Sequence, residues 1–231
     1  MSIATAGADP PAFVFIGDAL PLDFVNTEVV VRGKRRDLLA DPANLARWWD
    51  AARLRYPGAG LDADHPFLAP PDEELLTAAR SLRAALRAIF GAVADGAPIP
   101  ADHLAALNRI LRTGFTVVSV ATDGQPYLSG GSHDPGADGL LFPLGRAAAE
   151  LLTAGEPARL HRCENERCIL LFYDTTRSAT RRWCSTGCME RARSLRRYRE
   201  QKAGGERRAP RAHKSPLPSG WEGAGHSLDR G

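Results

Sequence analysis

Four cysteines constrain this chain more than any other feature, because all of them fall within 26 consecutive positions. They read C-x4-C from Cys163 to Cys168 and, after fifteen residues, C-x3-C from Cys184 to Cys188. Two short cysteine pairs with such a gap are typical of a zinc site, in which each pair forms a knuckle and the intervening chain folds back as a hairpin. The spacing therefore predicts a Zn²⁺ ion bound by four thiolates.

Four thiolates complete a tetrahedral shell and leave no position for an activated water, so we expect the zinc to be structural and not catalytic. Such a site supplies on the order of 10 to 16 kcal/mol of apparent folding free energy, more than a module of about 40 residues obtains from its own core. One alternative replaces a cysteine by His161 as the fourth ligand. Another is that the four cysteines are unrelated buried thiols.

Charge is distributed unevenly along the chain. Residues 1–158 hold 13 Lys and Arg against 19 Asp and Glu, a net charge of −6, whereas residues 159–214 hold 16 against 6, a net charge of +10. A concentrated basic segment is what a polyanion partner requires, because neutralised phosphates release condensed counterions. The alternative is a merely solvated face, but the segment has too few acids to pair its bases.

Arginine, not lysine, dominates the basic segment, and guanidinium forks suit phosphate and guanine edges. On a helix predicted from Cys188 to about Lys202, the helical period places three arginines away from the cysteine side. Two more stand on a predicted strand that returns from residue 181 to Cys184. The candidate nucleic-acid contacts are thus Arg181, Arg182, Arg193, Arg196 and Arg197.

The first part of the chain predicts an α+β fold that is mostly helical. Asp41 and Asp72 each precede a run with helical apolar spacing, as N-capping residues do. Uncharged β-branched residues before an Asp123-Gly124 turn predict a hairpin. Two predicted helices begin at residues 42 and 73, and two more cover 101–112 and 143–152. The predicted strands of this domain cover 13–16, 115–121 and 140–142, with a loop over 129–139. Beyond this domain, two further strands are predicted over 169–173 and 181–184.

We expect three segments: an α+β domain over residues 13–157, a treble-clef or ribbon-like zinc finger over 159–202, and a disordered basic, Gly- and Pro-rich tail over 203–231. The start of the chain lacks the positive cluster and apolar stretch of a signal peptide. No apolar run approaches the length of a spanning helix, so we expect no membrane association and a cytoplasmic location.

Two motifs of this chain resemble a bacterial family, the ABATE-domain proteins with a C-terminal CGNR zinc finger, described as stress-induced transcriptional regulators. The first is Gly17-Asp-Ala-Leu-Pro-Leu-Asp-Phe-Val-Asn-Thr27, followed by Asp37-Leu-Leu39 and the Leu45-Ala-x-Trp-Trp49 helix. The second is the cysteine segment, where Phe172-Tyr-Asp174 and Arg181-Arg-Trp-Cys-Ser185 fall in the family's order. The resemblance covers residues 13–202 and implies zinc and DNA binding.

The chain departs from the family at the finger's last motif, where Cys-Gly-Asn-Arg is Cys188-Met189-Glu190-Arg191. The replaced Gly and Asn put in doubt any contact that those two residues make, and phosphate would repel Glu190. The surviving Arg191 joins the candidate nucleic-acid contacts.

Within the first motif, Asp23 and Asn26 are candidates for a small-molecule site, although capping of local backbone groups is the preferred interpretation.

No nucleophile and base at catalytic spacing appear, so we expect no enzyme. The hypothesis is a zinc-dependent DNA-binding transcriptional regulator whose first domain senses an effector or forms a homodimer. The alternatives are an RNA- or protein-binding adaptor and an enzyme with its site in the first domain.

Overall fold

A computed structural model of the chain describes residues 13–61 and 70–206. The described residues up to Arg193 form one compact unit, and those from Ser194 belong to a second. A short 3₁₀ turn covers Pro157–Arg159. The helices and strands, in chain order, are α1 (Leu20–Val25), β1 (Glu28–Val31), β2 (Lys34–Asp37), α2 (Pro42–Arg55), α3 (Glu73–Ala94), α4 (Ala101–Leu111), β3 (Gly114–Val120), β4 (Pro126–Ser132), α5 (Ala137–Leu140), α6 (Phe142–Ala154), β5 (Leu160–Arg162), β6 (Leu171–Tyr173) and α7 (Thr186–Glu206).

The predicted α+β class is confirmed, and its strands form three separate antiparallel hairpins in the described residues: β1 with β2, β3 with β4, and β5 with β6. The predicted capping residues also begin their helices. Asp41 Oδ1 accepts a hydrogen bond from the backbone N–H of Asn44 at 2.7 Å. Asp72 Oδ1 accepts one from Leu75 at 2.8 Å. Both satisfy a backbone donor that the first turn of a helix leaves without an intrahelical partner.

The main hydrophobic core is built around α3, whose apolar residues recur at three- and four-residue steps. Trp48 of α2 is fully buried in this core, and its ring lies 5.1 Å from that of Phe24. Leu160 and Leu171, from β5 and β6, are buried in the same core. The cysteine segment therefore contributes directly to the core of the preceding domain.

A second, smaller core surrounds the cysteines. It contains the buried side chains of Cys163, Cys184 and Cys188 together with Leu170 and Phe172. Two residues of the first domain complete it, namely Val29 of β1 and Leu38. Both cores thus combine side chains from the two predicted domains, whereas we had expected the cysteine module to fold with little apolar burial of its own.

Several predicted elements differ from the structure. Residues 13–16 form no strand, and the predicted strand 140–142 is helical. The predicted loop over 129–139 is shorter: residues 129–132 belong to β4, residues 137–139 belong to α5, and only 133–136 form a loop. The return through 181–184 is irregular and is tied to the first knuckle by one backbone bond, from Glu164 N to Arg182 O at 3.0 Å. Residues 203–206 belong to α7, and the rest of the predicted tail lies outside the described residues.

The β1–β2 hairpin was not predicted, because its strand β2 consists of charged residues, Lys-Arg-Arg-Asp, without apolar alternation. Arg32 and Gly33 form its turn with φ values of 51° and 78°. Left-handed conformations at both central residues are those of a tight hairpin turn, and glycine adopts them without a steric penalty. A turn with Arg in the first of these positions gives a weaker sequence signal than Asn-Gly or Asp-Gly.

Candidate metal centre

The four cysteines converge on one point. Their sulfur atoms all lie within 4.8 Å of one another, and the sulfurs of Cys168 and Cys184 are 3.8 Å apart. A tetrahedral zinc ion with Zn–S bonds of about 2.3 Å has sulfur atoms separated by roughly 3.8 Å, so the site fits this ion. The predicted ligands Cys163, Cys168, Cys184 and Cys188 thus form a structural Zn²⁺ site.

The first knuckle is a tight turn between β5 and β6. The backbone N–H of Cys163 donates to Leu170 O at 3.0 Å, closing the hairpin directly before the metal. Asn165 is buried and organises the turn: its carbonyl accepts from Cys168 N at 2.7 Å, and its side chain accepts from Arg167 N at 3.1 Å. These bonds hold the first two sulfurs on the same side of the hairpin.

The second knuckle leads into the first turn of α7. Ser185 directly precedes this helix, and its Oγ accepts a hydrogen bond from Cys188 N at 3.2 Å, as an N-capping residue does. Cys188 therefore lies where the partial positive charge of a helix N-terminus favours a thiolate. A serine before a helical run is a capping signal in the sequence, and it places the helix start at Thr186 and not at Cys188.

Electrostatics within the cluster favour a bound cation. Hydrogen bonds from the thiols of Cys168 and Cys184 lower the pKa of Cys163. The hydrogen bond to the Cys163 sulfur raises the pKa values of Cys168 and Cys184, because it favours the protonated form of each donating thiol, and burial raises them further. Four thiolates at this separation require a positive charge between them, which zinc supplies when bound.

His161 does not join the described metal cluster, which consists of the four cysteines. Its position in β5 is directly opposite Phe172 in β6, and the two ring centroids are 5.6 Å apart. The three-cysteine, one-histidine alternative and the alternative of four unrelated thiols both disagree with this geometry.

Polar contacts fix the cysteine module to the first domain, in addition to the shared cores. Asn26 is fully buried and bonds the backbone of Leu171 twice: its Nδ2 donates to Leu171 O at 2.8 Å, and its Oδ1 accepts from Leu171 N at 3.0 Å. Arg87 of α3 donates to Ile169 O at 2.8 Å. Asn26 thus satisfies the outer edge of β6 as a neighbouring strand would.

Three of the candidate nucleic-acid arginines are held by protein groups. Arg181 donates to the carbonyls of Trp183 and Cys184 and pairs with Asp18 of the first domain, while its guanidinium covers the Phe172 ring at 4.4 Å. The backbone N–H of Arg181 donates to the buried Asp174 carboxylate at 2.7 Å. This residue organises the finger and has little guanidinium surface left for phosphate.

Arg182 and Arg191 are engaged in different ways. Arg182 is exposed and forms a bidentate ion pair with Glu164. Arg191 Nη2 lies 3.2 Å from Cys188 Sγ, and this hydrogen bond raises the pKa of the guanidinium. Arg191 therefore supports a metal ligand, as residues around zinc sites commonly do.

The remaining three candidates, Arg193, Arg196 and Arg197, are exposed on α7. Arg196 contacts Glu200 one turn later, at 3.6 Å. Among the described residues, Arg193 and Arg197 form no ion pair. Of the six candidates, these three guanidinium groups have the fewest bonds to other described residues.

The comparisons with known families agree with this geometry. The ABATE family, described as "Putative stress-induced transcription regulator", matches residues 18–155, and the CGNR zinc finger family matches residues 159–202. The chain belongs to the ABATE family and carries a CGNR zinc finger. A search of curated proteins found no match. The ABATE domain is thus residues 18–155, and the CGNR finger is residues 159–202.

Met189 and Glu190, which replace the Gly and Asn of the CGNR motif, lie within α7. Glu190 is exposed and Met189 is partly buried. Helical backbone requires neither glycine nor asparagine, so the replacement leaves the metal ligand Cys188 and its partner Arg191 in place. The structure thus accommodates the departure from the family motif.

The candidate small-molecule residues of the ABATE domain bond to protein groups. Asp23 is buried; its Oδ1 accepts from Gly17 N at 2.6 Å, and its Oδ2 accepts from the Tyr56 hydroxyl. Burial raises the pKa of the Asp23 carboxyl in spite of these hydrogen bonds. A cavity of about 550 Å³ lies elsewhere, between α3, α4 and the segment before α5, and is lined by residues that include Glu74, Ser81 and Arg109.

Sequence reasoning missed the residues that join the finger to the ABATE domain. The partners of Asp18 and Arg87 were not predicted, because they lie 163 and 82 positions away in the chain. Asn26 was singled out within its motif, but its partner in β6 could not be inferred.

None of the helices in the described part of the chain has the length and apolar composition needed to cross a bilayer.

Proposed function

We propose that this zinc-finger member of a regulator family binds DNA through α7 and acts as a transcriptional regulator. The observation that carries the proposal is the contrast among the finger's arginines. Those nearest the metal are bound by protein groups. In the described part of the chain, Arg193 and Arg197 form no ion pair, and Arg196 has a contact of 3.6 Å with Glu200. Arginines three and four residues apart share one side of a helix, the spacing at which a helix contacts the backbone or base edges of a groove.

Zinc has a structural role in this proposal. The ion fixes Cys184 and Cys188 on either side of the helix start, and so holds the first turn of α7 in place. The helix itself has little apolar character, since all but one of residues 193–202 are exposed. A solvated, basic helix of this kind suits contact with a polyanion.

We further propose that the ABATE domain receives the regulatory signal. The contacts of Asn26 with Leu171 and of Arg87 with Ile169 join this domain to the finger, so a change in the ABATE domain would alter the free energy of the finger's fold. A small-molecule effector and a cytoplasmic location belong to this proposal. Cysteines held as zinc ligands and not as disulfides agree with a reducing compartment.

A binding titration over a salt series tests the DNA proposal. We expect the double variant Arg196→Ala, Arg197→Ala to bind duplex DNA at least roughly tenfold more weakly, with a log-log salt slope reduced by about 0.9 for each phosphate that the variant no longer neutralises. Arg35→Ala is the matched control, because Arg35 is also exposed and paired with a glutamate, at 3.1 Å, but lies in the ABATE domain.

Unchanged affinity of the double variant would contradict the proposal. A preference for structured RNA in competition with duplex DNA would favour the adaptor alternative. Selection of bound sequences from a random DNA pool, with zinc-stripped protein as control, then identifies the site. We expect enrichment only with the zinc-loaded protein.

A further inference from the structure

The β3–β4 hairpin exposes apolar side chains on both faces. Val118 and Val120, on one face, are 71% and 68% exposed. Phe115, Val117 and Tyr127 lie on the other face and are about half exposed. Several exposed apolar side chains on one hairpin are typical of a site of interaction.

One edge of this hairpin has no partner among the described residues. Ala121 N donates to Gln125 O, and His133 N donates to Thr113 O. With the antiparallel register, these bonds show that the odd-numbered residues of β3 bond to β4. The backbone groups of the even-numbered residues Thr116, Val118 and Val120 therefore point away from the hairpin. β3 pairs with β4 alone in the described part of the chain.

The two edges of the hairpin differ in protection. β4 begins with Pro126, which has no N–H to offer a further strand. β3 reads Gly-Phe-Thr-Val-Val-Ser-Val and contains no proline and no charged residue. Exposed edges in natural proteins are protected by charges, proline or bulges, because an unprotected edge pairs with another chain. The composition of β3 is that of a paired strand.

We propose that β3 pairs antiparallel with β3 of a second copy of this chain, forming a twofold-symmetric dimer. Val118 would lie opposite Val118 of the partner subunit, and Thr116 opposite Val120 of the partner subunit. In this register, each outward-facing residue exchanges two backbone hydrogen bonds with the residue directly opposite it in the partner strand. It converts two hairpins into one four-stranded sheet, and a sheet of three or more strands is far more stable than an isolated hairpin.

A second copy fits this surface better than other occupants do. The strand is uncharged, so two copies do not repel each other, and the pairing is self-complementary as a twofold interface requires. The same lack of charge gives no attraction for nucleic acid, which needs cationic side chains. The inference goes beyond the proposed DNA binding and does not depend on it, because dimerisation is measured without DNA.

Sedimentation of the full chain over a concentration range tests the dimer. We expect the wild type to form dimers, and Val118→Lys and Val118→Pro to remain monomeric at the same concentrations. Proline removes only an outward N–H, so it spares the bonds to β4. Leu54→Lys is the control, because Leu54 of α2 is 81% exposed and lies outside the hairpin, and this variant should still dimerise. Circular dichroism and thermal unfolding verify that each variant is folded.

Cysteine cross-linking of the zinc-loaded protein tests the register. Val118→Cys should form a disulfide with its own copy, since directly opposite residues have Cα atoms about 5.5 Å apart. Val120→Cys should not, because four residues, or about 13 Å, would separate the two cysteines along the strands. Peptide mass spectrometry locates the bond.

A wild-type protein that stays monomeric would overturn the proposal. So would a dimer that persists in folded Val118→Lys and Val118→Pro variants, or assembly into larger species with no dimer. Cross-linking through Val120→Cys and not Val118→Cys would overturn the register and with it the twofold pairing.

Discussion

Two hairpins of this protein show opposite relations between length and burial. The β5–β6 hairpin has three residues in each strand, and the β3–β4 hairpin has seven. Yet Leu171 and Phe172 of the shorter hairpin are fully buried, whereas Val118 of the longer one is 71% exposed. Hairpin length therefore does not determine burial here; what lies against each face does.

The shorter hairpin is covered on both faces. Leu171 packs into the core of the ABATE domain, and Phe172 packs into the core around the cysteines. Metal binding and apolar packing thus stabilise the same strand from opposite sides. The longer hairpin follows α4, and most residues of its strand β3 are exposed. This exposure is the basis of the proposed dimer.

The largest effect is expected at the metal. Cys184→Ser removes one of four ligands, and the site should lose its zinc with an apparent cost on the order of 10 kcal/mol. Metal analysis should find one zinc per wild-type chain and almost none in the variant, with a large fall in the unfolding temperature. Stoichiometric zinc in the variant would mean that the shell is not made by these four thiolates.

Leu171→Ala tests the other face of the short hairpin. Leu171 is fully buried, so truncation leaves a cavity and should lower the free energy of unfolding by about 2 to 5 kcal/mol. Chemical denaturation of the zinc-loaded protein measures this change in the free energy of unfolding. A cost below about 1 kcal/mol would show that the metal alone stabilises the finger.

The third hairpin, β1–β2, is anchored by an ion pair. Arg83 donates twice to Asp37, at 2.6 Å for each nitrogen and oxygen pair. Burial alone would raise the pKa of the Asp37 carboxyl, but the bonds and charge of Arg83 outweigh it and lower the pKa. Ionised Asp37 therefore stabilises the fold above its unfolded pKa of about 3.9, and this stability is lost as pH falls through the lower folded pKa.

Asp37→Asn should accordingly cost about 1 to 2 kcal/mol at pH 7, a value reduced by the partial exposure of the carboxylate. The difference from wild type should shrink in denaturation curves recorded below about pH 4. A difference that stays constant down to the acid transition would show that Asp37 acts through packing and not through its charge.

The smallest effect is expected in the long hairpin. Val120 is 68% exposed, so Val120→Ala in dilute protein should change the free energy of unfolding by less than about 0.5 kcal/mol. Urea denaturation at a concentration below that of dimer formation measures it. A cost similar to that of Leu171→Ala would mean that the hairpin is covered within one chain.

The sequence was sufficient for features that depend on local chemistry. The spacing of the cysteines predicted all four ligands, and Asp41 and Asp72 predicted two helix starts, because a cap needs only its own next turn. Helical periodicity also predicted that Arg193 and Arg197 are exposed. The family membership followed from motifs within single segments.

Features that depend on contacts between distant segments were missed. Nothing near Arg181 in the chain indicated that its guanidinium would bond carbonyls of its own finger and Asp18, so the sequence predicted a phosphate contact and not these bonds. The pairing of Asn26 with Leu171 spans 145 positions. The β2 strand was missed because its charged residues lack alternation, and its pairing with β1 comes from the turn.

Zinc and the ABATE core hold β6 in place from its two sides. Hydrogen exchange at the backbone N–H of Leu171, which donates to Asn26 Oδ1 at 3.0 Å, tests it most directly. We predict slow exchange in the zinc-loaded full chain and exchange many times faster after chelation of the metal, while β3 and β4 change little. Equal exchange rates at Leu171 with and without zinc would contradict the account.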